Sequence, residues 1–503
     1  MKRRTFVRSS LTAAVAASLS TRRSLAAALY QEAPQAPPDV DAITGAGGEV
    51  TLSGKDIADL ASRMRGRVLL AGDDGYDEAR QILNPSFDKR PALIAQPTGT
   101  ADVRSAVDFA REHDNLLLAV KCGGHSASGK STCDGGMQID LSAFRDVRVD
   151  PIARTARITG GSLLGELDHE SMAYDLVAPM GTVSHTGVGG LVTGGGFGRV
   201  ARHFGLSIDS LVAVDVVTAD GQFIRASKDE YPDLFWGVRG GGGNFGIVTS
   251  FEFELHPMQR QVVGGNIFFP IEKARDALST FAAYHPEMPD ELDLGFIVTL
   301  PPGGADGMVG FFACWSGPEN QAEQALAPIR GIGAPVSDGI KAVDYVALQR
   351  SGDTDDPRAR ASYLKSGFIL EMPSDLISAI LEGMQGHPAR STGVFLQSSG
   401  GAIGRVSDDA TAFAHRDVLG NLLCSVGWRY GDDPSQHIQW IKQYWTHLEP
   451  FTKGFYANDL GLDAGRAAIN ANYRGNYDRL VRVKNEYDPG NLFRLNANVQ
   501  PTA

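Results

Sequence analysis

Three glycine-rich segments constrain this chain more than any other feature of its sequence. They cover residues 123–129, 181–198 and 237–246, and glycine accounts for 59 of the 503 residues, well above the ~7% typical of proteins. A glycine inside a helix or strand costs roughly 0.5–1 kcal/mol relative to alanine, so regular elements do not hold this density without loss. The segments therefore predict loops whose backbone approaches a ligand or another segment closely.

Apolar runs beside these segments favour ordered loops over flexible linkers. Leu116–Val120 is predicted to form a buried strand that leads into the first segment, and Leu211–Thr218 a strand that follows the second. Successive backbone N–H groups in a glycine turn form a nest that suits a pyrophosphate. For the first segment taken alone, a plain tight turn remains the alternative.

The chain length indicates two large lobes, because 503 residues exceed what one core normally organises. From Pro91 to about residue 258, strands and helices alternate, and Thr100 is expected to cap one of these helices. Later, Phe296–Leu300 and Met308–Trp315 predict strands of an antiparallel sheet with helices on one face. We predict an α+β fold. Residues 31–55 form an N-terminal linker, and residues 56–258, 259–450 and 451–503 form the three parts that follow it.

The N-terminus has the composition of a targeting segment. Basic residues 2–8 precede the short apolar stretch Leu11–Leu19 and the small residues 24–28. This apolar stretch is shorter than the ~20 residues that span a bilayer. Residues 1–30 resemble a twin-arginine export signal, which predicts a periplasmic or secreted protein; a basic amphipathic helix is the alternative.

The remaining composition excludes some classes of partner. The formal net charge is -12, and an acidic chain without a basic stripe is a poor binder of nucleic acid. No stretch beyond the N-terminus predicts a membrane span. The four cysteines are too few for a disulfide scaffold, and their spacing leaves any pairing open; they are Cys122, Cys133, Cys314 and Cys424.

Five runs together resemble a known family. Residues 120–129, 179–198 and 236–249 are similar to the FAD-binding domain of the vanillyl-alcohol-oxidase or PCMH type. Residues 473–480 and 483–494 resemble the berberine-bridge-enzyme-like branch. The resemblance implies a two-lobed PCMH-type fold, with FAD on the 56–258 lobe and substrate on the 259–450 lobe. It also implies that the C-terminal segment returns to the FAD lobe.

The resemblance assigns cofactor roles to individual residues. His125 matches the histidine that bonds covalently to the flavin, whereas Val183 stands where members with two covalent links carry a cysteine, so a single link is expected. Thr186 stands at the position that controls oxygen access. The further expected cofactor contacts are Cys122, Gly123, Gly124, Ser126, Gly129, Gly181, Thr182, Gly187, Gly189, Gly190, Gly194, Gly195, Gly196, Ile247, Val248, Asn496 and Asn498. A metal site at Cys122 and His125 is disfavoured, since no partner pair at zinc spacing appears.

The resemblance also implies the reaction class, an FAD-dependent oxidase. Hydride would leave a C–OH or C–N carbon of a small molecule or sugar, and oxygen would become hydrogen peroxide. Tyr473 is the leading candidate for the catalytic base, although a packing role is an equal alternative and the register with Asn472 is open. His185 faces either substrate or its own loop. A flavin dehydrogenase and a non-catalytic flavin carrier remain the alternative functions.

Overall fold

The structure, a computed structural model, describes residues 36–301, 306–353, 358, 360–387, 392–461 and 463–502. The predicted export signal at residues 1–30 lies outside the described residues. Among the described residues, no helix is long and apolar enough to cross a bilayer.

Strands and helices alternate through the first half of the chain, and longer strands dominate the second half. The strands are β1 (Val40–Ile43), β2 (Glu49–Leu52), β3 (Arg67–Leu70), β4 (Leu93–Gln96), β5 (Leu118–Lys121), β6 (Met137–Asp140), β7 (Val147–Asp150), β8 (Thr155–Thr159), β9 (Leu176–Val177), β10 (Leu211–Val217), β11 (Phe223–Ser227), β12 (Ile247–Glu254), β13 (His256–Pro257), β14 (Gln261–Pro270), β15 (Leu292–Leu300), β16 (Met308–Trp315), β17 (Ser337–Asp338), β18 (Lys341–Asp344), β19 (Arg360–Ile369), β20 (Thr392–Ser398) and β21 (Gly420–Arg429). The α-helices are α1 (Gly54–Arg63), α2 (Tyr76–Ala79), α3 (Thr100–Glu112), α4 (Leu164–Ser171), α5 (Val188–Gly194), α6 (Ala201–Phe204), α7 (Pro232–Val238), α8 (Ala274–Tyr284), α9 (Ala322–Arg330), α10 (Tyr345–Arg350), α11 (Ser374–Met384), α12 (Ser435–Leu448), α13 (Arg466–Asn472) and α14 (Tyr477–Tyr487).

Two sheets form the first lobe. A four-stranded sheet has the order β3-β4-β6-β5, in which β6 pairs parallel with β4 and β5. A five-stranded antiparallel sheet has the order β11-β10-β12-β8-β7. Helix α3 lies between them: Val103, Ala106, Val107 and Ala110 share one core with residues of the four-stranded sheet and with Val217 and Ile247. This apolar spacing follows the helical period, which explains why the sequence predicted the helix.

The start of α3 differs from the prediction for Thr100. Gly99 is the N-cap and Thr100 is the first helical residue. The two carboxylate oxygens of Asp102 accept backbone N–H groups from outside the helix, of Arg65 after α1 at 2.9 Å and of Thr98 before α3 at 2.9 Å. This buried carboxylate in the first turn thus holds both segments against the start of the helix.

The second lobe contains one large antiparallel sheet. Its order is β17-β14-β16-β15-β20-β21-β19, and β18 also pairs with β14. Apolar faces of α8, α9, α11 and α12 share a core with this sheet. This arrangement is the α+β architecture that the sequence predicted.

The C-terminal segment packs back onto the first lobe. Leu480 and Val483 of α14 belong to the same core as Trp236 of α7. The buried ammonium of Lys484 donates to Asp488 at 2.6 Å and to the backbone carbonyl of Asn244 at 2.8 Å. A paired and hydrogen-bonded buried charge of this kind fixes the segment against the third glycine-rich loop.

The predicted linker at 31–55 is more ordered than expected. In its described part, β1 and β2 form an antiparallel hairpin. Ala42 and Leu52 are buried in the core that α3 shares. The prolines at 34–38 suggested a linker, but the alternating residues after Val40 bury one face and make two strands.

Candidate cofactor and substrate site

A cavity of about 490 Å³ lies between the two lobes and the C-terminal segment. Its volume falls in the range of small-molecule and cofactor sites, roughly 300–1,000 Å³. All three glycine-rich segments reach it, together with β20, residues 456–460 and residues 493–497. The topology therefore brings together segments that lie far apart in the sequence.

The first two glycine-rich loops cross with their backbones in contact. A Cβ atom added at Gly123 would overlap the amide nitrogen of Gly187, and one added at Gly187 would overlap Gly123 and the thiol of Cys122. Any side chain at either position would separate the loops. Both glycines are thus required for the crossing itself, and both line the cavity.

Other glycines leave space open on the cavity side. A Cβ atom at Gly190 or Gly243 would meet nothing within 4 Å, and both residues line the cavity. No neighbouring protein atom therefore accounts for glycine at these positions. Glycine there lets a ligand approach the backbone closely, as a dinucleotide requires.

The second glycine-rich segment contains a helix where the sequence predicted a loop. Helix α5 covers Val188–Gly194, with Gly187 as its N-cap. Val188 and Val192 are fully buried in the first-lobe core. These two contacts hold the helix despite its glycines, while Gly189 and Gly190 face the cavity.

His125 lies at the wall of the cavity and is neutral. Its Nε2 atom is 2.8 Å from Nδ1 of His185, and its Nδ1 atom is 3.4 Å from the hydroxyl of Thr186. Burial first, and the neighbouring His185 second, lower the pKa of His125 to about 4. At neutral pH the ring therefore keeps a nitrogen lone pair, as a nucleophile needs. His185 itself holds a buried Nε2 atom without a hydrogen-bond partner among the described residues.

Cys122 lines the cavity as a protonated thiol. Burial raises the pKa of this thiol to about 11, and its Sγ atom is 3.6 Å from the carbonyl oxygen of Ser162. The four cysteines are all free. Across the described part of the chain, no group of three or more His, Cys, Asp or Glu side chains could hold a metal ion.

Most of the predicted cofactor residues line this cavity. They are Cys122, Gly123, Gly124, His125, Ser126, Gly181, Thr182, Thr186, Gly187, Gly189, Gly190, Ile247, Val248 and Asn496. Val183 lines it as well, beside His125 and Thr186. Lys130, which the sequence did not single out, donates from its ammonium to the carbonyl of Asn496 at 2.6 Å.

Five other predicted cofactor residues do not line the cavity. The carbonyl of Gly129 accepts a hydrogen bond from Lys89 at 2.8 Å, so this residue shapes the turn beyond the loop. A Cβ atom at Gly194 would overlap Asn458, and one at Gly196 would overlap Ser207. These glycines, with Gly195 between them, permit close packing behind the cavity wall. Asn498 is likewise set back from it.

Tyr473 lies behind the cavity wall. The ring is buried in the first-lobe core, and its hydroxyl donates to the carbonyl of Ala497 at 3.3 Å. Tyr473 is not among the residues that line the cavity. This position favours the packing alternative over the expected role as catalytic base, which stays a prediction.

The segment 456–460 supplies polar groups that the sequence did not reveal. Asp459 lines the cavity, and its carboxylate accepts a hydrogen bond from Asn421 at 2.8 Å. Asn421 also donates to the side-chain oxygen of Gln397 at 2.9 Å. Burial raises the pKa of Asp459 to about 6. This value suits a group that accepts a proton near neutral pH.

Tyr456 and Asn458 lie beside Asp459. The hydroxyl oxygen of Tyr456 accepts hydrogen bonds from the backbone N–H of Gly196 at 2.9 Å and from Asn458 at 2.8 Å. Because this oxygen accepts two bonds, the hydroxyl proton remains free to be donated. In the sequence, the tetrapeptide 456–459 lies between Gly454 and Gly461. This placement is the one pattern that could have drawn attention to the segment.

The residues of the cavity fit FAD by their own chemistry. Backbone amides of glycine loops suit a pyrophosphate, and Ile247 and Val248 offer an apolar surface to a ring. Lys130 adds a cation, and His125 offers a nitrogen that can bond to a carbon atom. Asn496 carries a buried side-chain oxygen without a partner among the described residues.

Comparisons with known proteins agree with this fit. An FAD binding domain family matches residues 91–227, and a berberine and berberine-like family matches residues 456–500. An FAD-linked oxidoreductase of Dictyostelium discoideum is 32% identical over 435 residues, which is 85% of this chain and 93% of the relative. The (R)-6-hydroxynicotine oxidase of Paenarthrobacter nicotinovorans is 30% identical over 454 residues, 87% of this chain and 97% of the relative.

A solved structure shares the whole architecture. The crystal structure of 6-hydroxy-D-nicotine oxidase from Arthrobacter nicotinovorans superposes with a TM-score of 0.79 at 28% identity, and covers 87% of this chain and 98% of that one. The two-lobed fold, with a C-terminal segment that returns to the first lobe, is therefore shared with this solved structure. This chain belongs to the family of FAD-linked oxidoreductases with a berberine-bridge-like C-terminal segment, and it is an enzyme of that family.

Proposed function

We propose that this enzyme is an oxidase that holds FAD through one covalent bond to His125. It removes hydride from a C–OH or C–N carbon of a small molecule or sugar, and oxygen takes up the electrons to give hydrogen peroxide. One observation carries the proposal: a single cavity is lined by neutral His125, by backbone of all three glycine-rich loops and by the carboxylate of Asp459.

The surroundings of His125 support a covalent bond at this residue. When bound, FAD supplies the group that accepts hydride. The depressed pKa leaves the imidazole neutral, and His185 at 2.8 Å orients the ring. Val183 lines the same wall but carries no thiol, so the proposal includes one covalent bond and no second one.

Asp459 is the proposed proton acceptor in place of Tyr473. Its carboxylate is held by Asn421 and faces the cavity, and its pKa near 6 leaves it mostly ionised at neutral pH. Tyr456 next to it has a hydroxyl oxygen that already accepts two hydrogen bonds. Burial raises the pKa of Tyr456, so we expect this hydroxyl to orient the substrate as a hydrogen-bond donor and to stay protonated.

Acid precipitation of the purified enzyme tests the covalent bond. We expect flavin absorbance to remain in the pellet of the wild type and to move to the supernatant for His125→Ala. His169→Ala is the matched control, because His169 is exposed and lies outside the cavity; its flavin should remain in the pellet. Flavin in the supernatant of the wild type would contradict the covalent attachment.

Rapid mixing tests the choice of oxygen as acceptor. Thr186, a residue of modest size, lines the cavity beside His125, and we expect it to leave a path for oxygen. The enzyme, reduced without air, should reoxidise rapidly when mixed with oxygen and should form one peroxide per flavin. Slow reoxidation by oxygen with fast reoxidation by a quinone would instead identify a dehydrogenase. A flavin that no sugar, alcohol or amine reduces would favour a carrier.

We also propose export through residues 1–30. The support is the twin-arginine pattern at Arg3 and Arg4 followed by a short apolar stretch. Fusion of these residues to a folded reporter should move the reporter out of the cytoplasm, and replacement of both arginines by lysine should stop this. A reporter that stays inside with the intact signal would overturn the proposal.

A further inference from the structure

The charge balance around Asp459 narrows the substrate class. The carboxylate faces the cavity, and its hydrogen-bond partner is the neutral amide of Asn421. No cation lies within ion-pair distance of Asp459 among the described residues. These residues therefore give this part of the cavity an anion without a counter-charge.

The nearby cations are committed to other groups. Lys365 pairs with Asp463 at 2.6 Å, and Lys442 lies 3.8 Å from the same carboxylate. Lys130 donates to the carbonyl of Asn496, on the side of the third glycine-rich loop. None of these ammonium groups neutralises Asp459.

Aromatic rings line the cavity where the segment 456–460 meets the second glycine-rich segment. Phe197 and Tyr456 both line it, with ring centroids 5.3 Å apart at an angle of 85°. Phe368 and Phe413 pack behind Phe197 and hold its ring in place. A fixed aromatic surface beside an anion is the arrangement that binds substituted ammonium groups.

Two polar atoms beside Asp459 already have partners within the chain. The amide nitrogen of Asn458 donates to the carbonyl of Leu191 at 3.1 Å and to Tyr456 at 2.8 Å. The side-chain oxygen of Gln397 accepts from Asn421. The charged group that remains for a ligand here is the Asp459 carboxylate, beside the two aromatic rings.

We infer that the substrate is an organic amine that binds as a cation, with its nitrogen at Asp459 and its apolar part against Phe197 and Tyr456. This inference rests on the proposed function and selects the C–N carbon over the C–OH carbon. The ammonium N–H bond breaks and its proton passes to the Asp459 carboxylate. The neighbouring C–H bond then breaks, hydride goes to the FAD of the proposed enzyme, and the substrate becomes an iminium ion. Oxygen takes up the two electrons as hydrogen peroxide.

Three probes that share one ring test the inference on the FAD-loaded enzyme. They are benzyltrimethylammonium, benzyl alcohol and benzoate, each titrated while the flavin absorbance is recorded. We expect the cation to bind at least about tenfold more tightly than the alcohol, through its attraction to the carboxylate and to the aromatic rings, and benzoate to bind weakest. Equal binding of the cation and the alcohol would overturn the inference.

Two variants test whether the preference for the cation comes from the carboxylate of Asp459. Asp459→Asn keeps the size of the side chain, and we expect it to lose the preference for the cation while it keeps its flavin. Asp229→Asn removes the same charge from an exposed residue outside the cavity and should keep the preference. Asp459→Asn with the preference intact would contradict the inference.

A substrate panel separates this inference from the proposed function. Reduction of the flavin by amines, and not by alcohols or sugars, supports both. Reduction by alcohols or sugars alone overturns the inference and leaves the oxidase proposal standing. If no compound reduces the flavin, the proposed function fails, while the binding preference for the cation is still measured on its own.

Discussion

The two walls of the cavity are built in different ways. The loops at 123–129 and 181–198 shape it with backbone, since Gly123 and Gly187 touch and Gly190 leaves open space. The segment 456–460 packs against the second of these loops and shapes the adjoining wall with side chains, through Asp459 and its hydrogen bond to Asn421. The first wall suits the close approach of a dinucleotide cofactor, and the second offers polar side chains to a substrate. We therefore expect substitutions in the first wall to change stability or flavin content, and substitutions in the second wall to change the reaction.

Gly187→Val should have the largest effect, because it breaks the crossing of the two loops. The new side chain would overlap the backbone of Gly123 and the thiol of Cys122. We expect more than the ~1–3 kcal/mol that overpacking usually costs in the free energy of unfolding, together with loss of flavin. Thermal melting and flavin content measure both. Gly475→Ala serves as the control, since a Cβ atom there meets nothing within 4 Å.

Gly190→Ala tests whether the backbone wall can lose ligand binding without a loss of stability. A Cβ atom at this position meets no protein atom, and alanine suits helix α5. We expect an unchanged or slightly higher melting temperature for the protein without flavin, and weaker flavin incorporation. Normal flavin content in this variant would show that the cofactor does not approach Gly190.

Asp459→Asn tests the other wall. We expect full flavin content and a loss of about 10²–10⁴-fold in kcat, the usual contribution of a positioned proton acceptor. Steady-state kinetics with reducible substrates measure this loss. Loss of flavin from this variant would show that the two walls are not independent.

The pH dependence of the reaction gives a second test of Asp459. The ionised carboxylate accepts the proton, and burial raises the pKa of the group to about 6. The wild-type kcat/KM should therefore rise as pH increases through about 6 and level off above it. In Asp459→Asn this rise should disappear, whereas in the control Asp229→Asn it should remain.

Tyr473→Phe should have the smallest effect. It removes one hydrogen bond to Ala497, which is worth about 1 kcal/mol in the free energy of unfolding. The pH profile of kcat/KM should match that of the wild type. A large fall in kcat with an altered profile would return Tyr473 to a catalytic role.

The difference between the walls also explains what the sequence could predict. Glycine density marked the backbone wall, because close approach excludes side chains, and most of the predicted cofactor residues line the cavity. Helix α5 escaped the prediction because the buried contacts of Val188 and Val192 offset the cost of its glycines. Single-residue composition does not show such tertiary contacts.

The side-chain wall had no comparable signal. Asp459 looks like any surface aspartate in the sequence, and its place at the cavity follows from its hydrogen bond to Asn421, which also donates to Gln397. Tyr473 lies in a run with strong family resemblance, yet its ring turns into the core. A motif locates a segment, whereas the direction of each side chain depends on the three-dimensional packing.

Mass spectrometry of the tryptic peptide Cys122–Lys130 tests the central claim most directly. Trypsin cleaves after Lys121 and Lys130, so His125 is the single histidine of a short peptide that also contains Cys122. We predict that this peptide carries the mass of the flavin on His125 and that the peptide containing Val183 carries none. An unmodified His125 peptide from protein that still contains flavin would contradict the account.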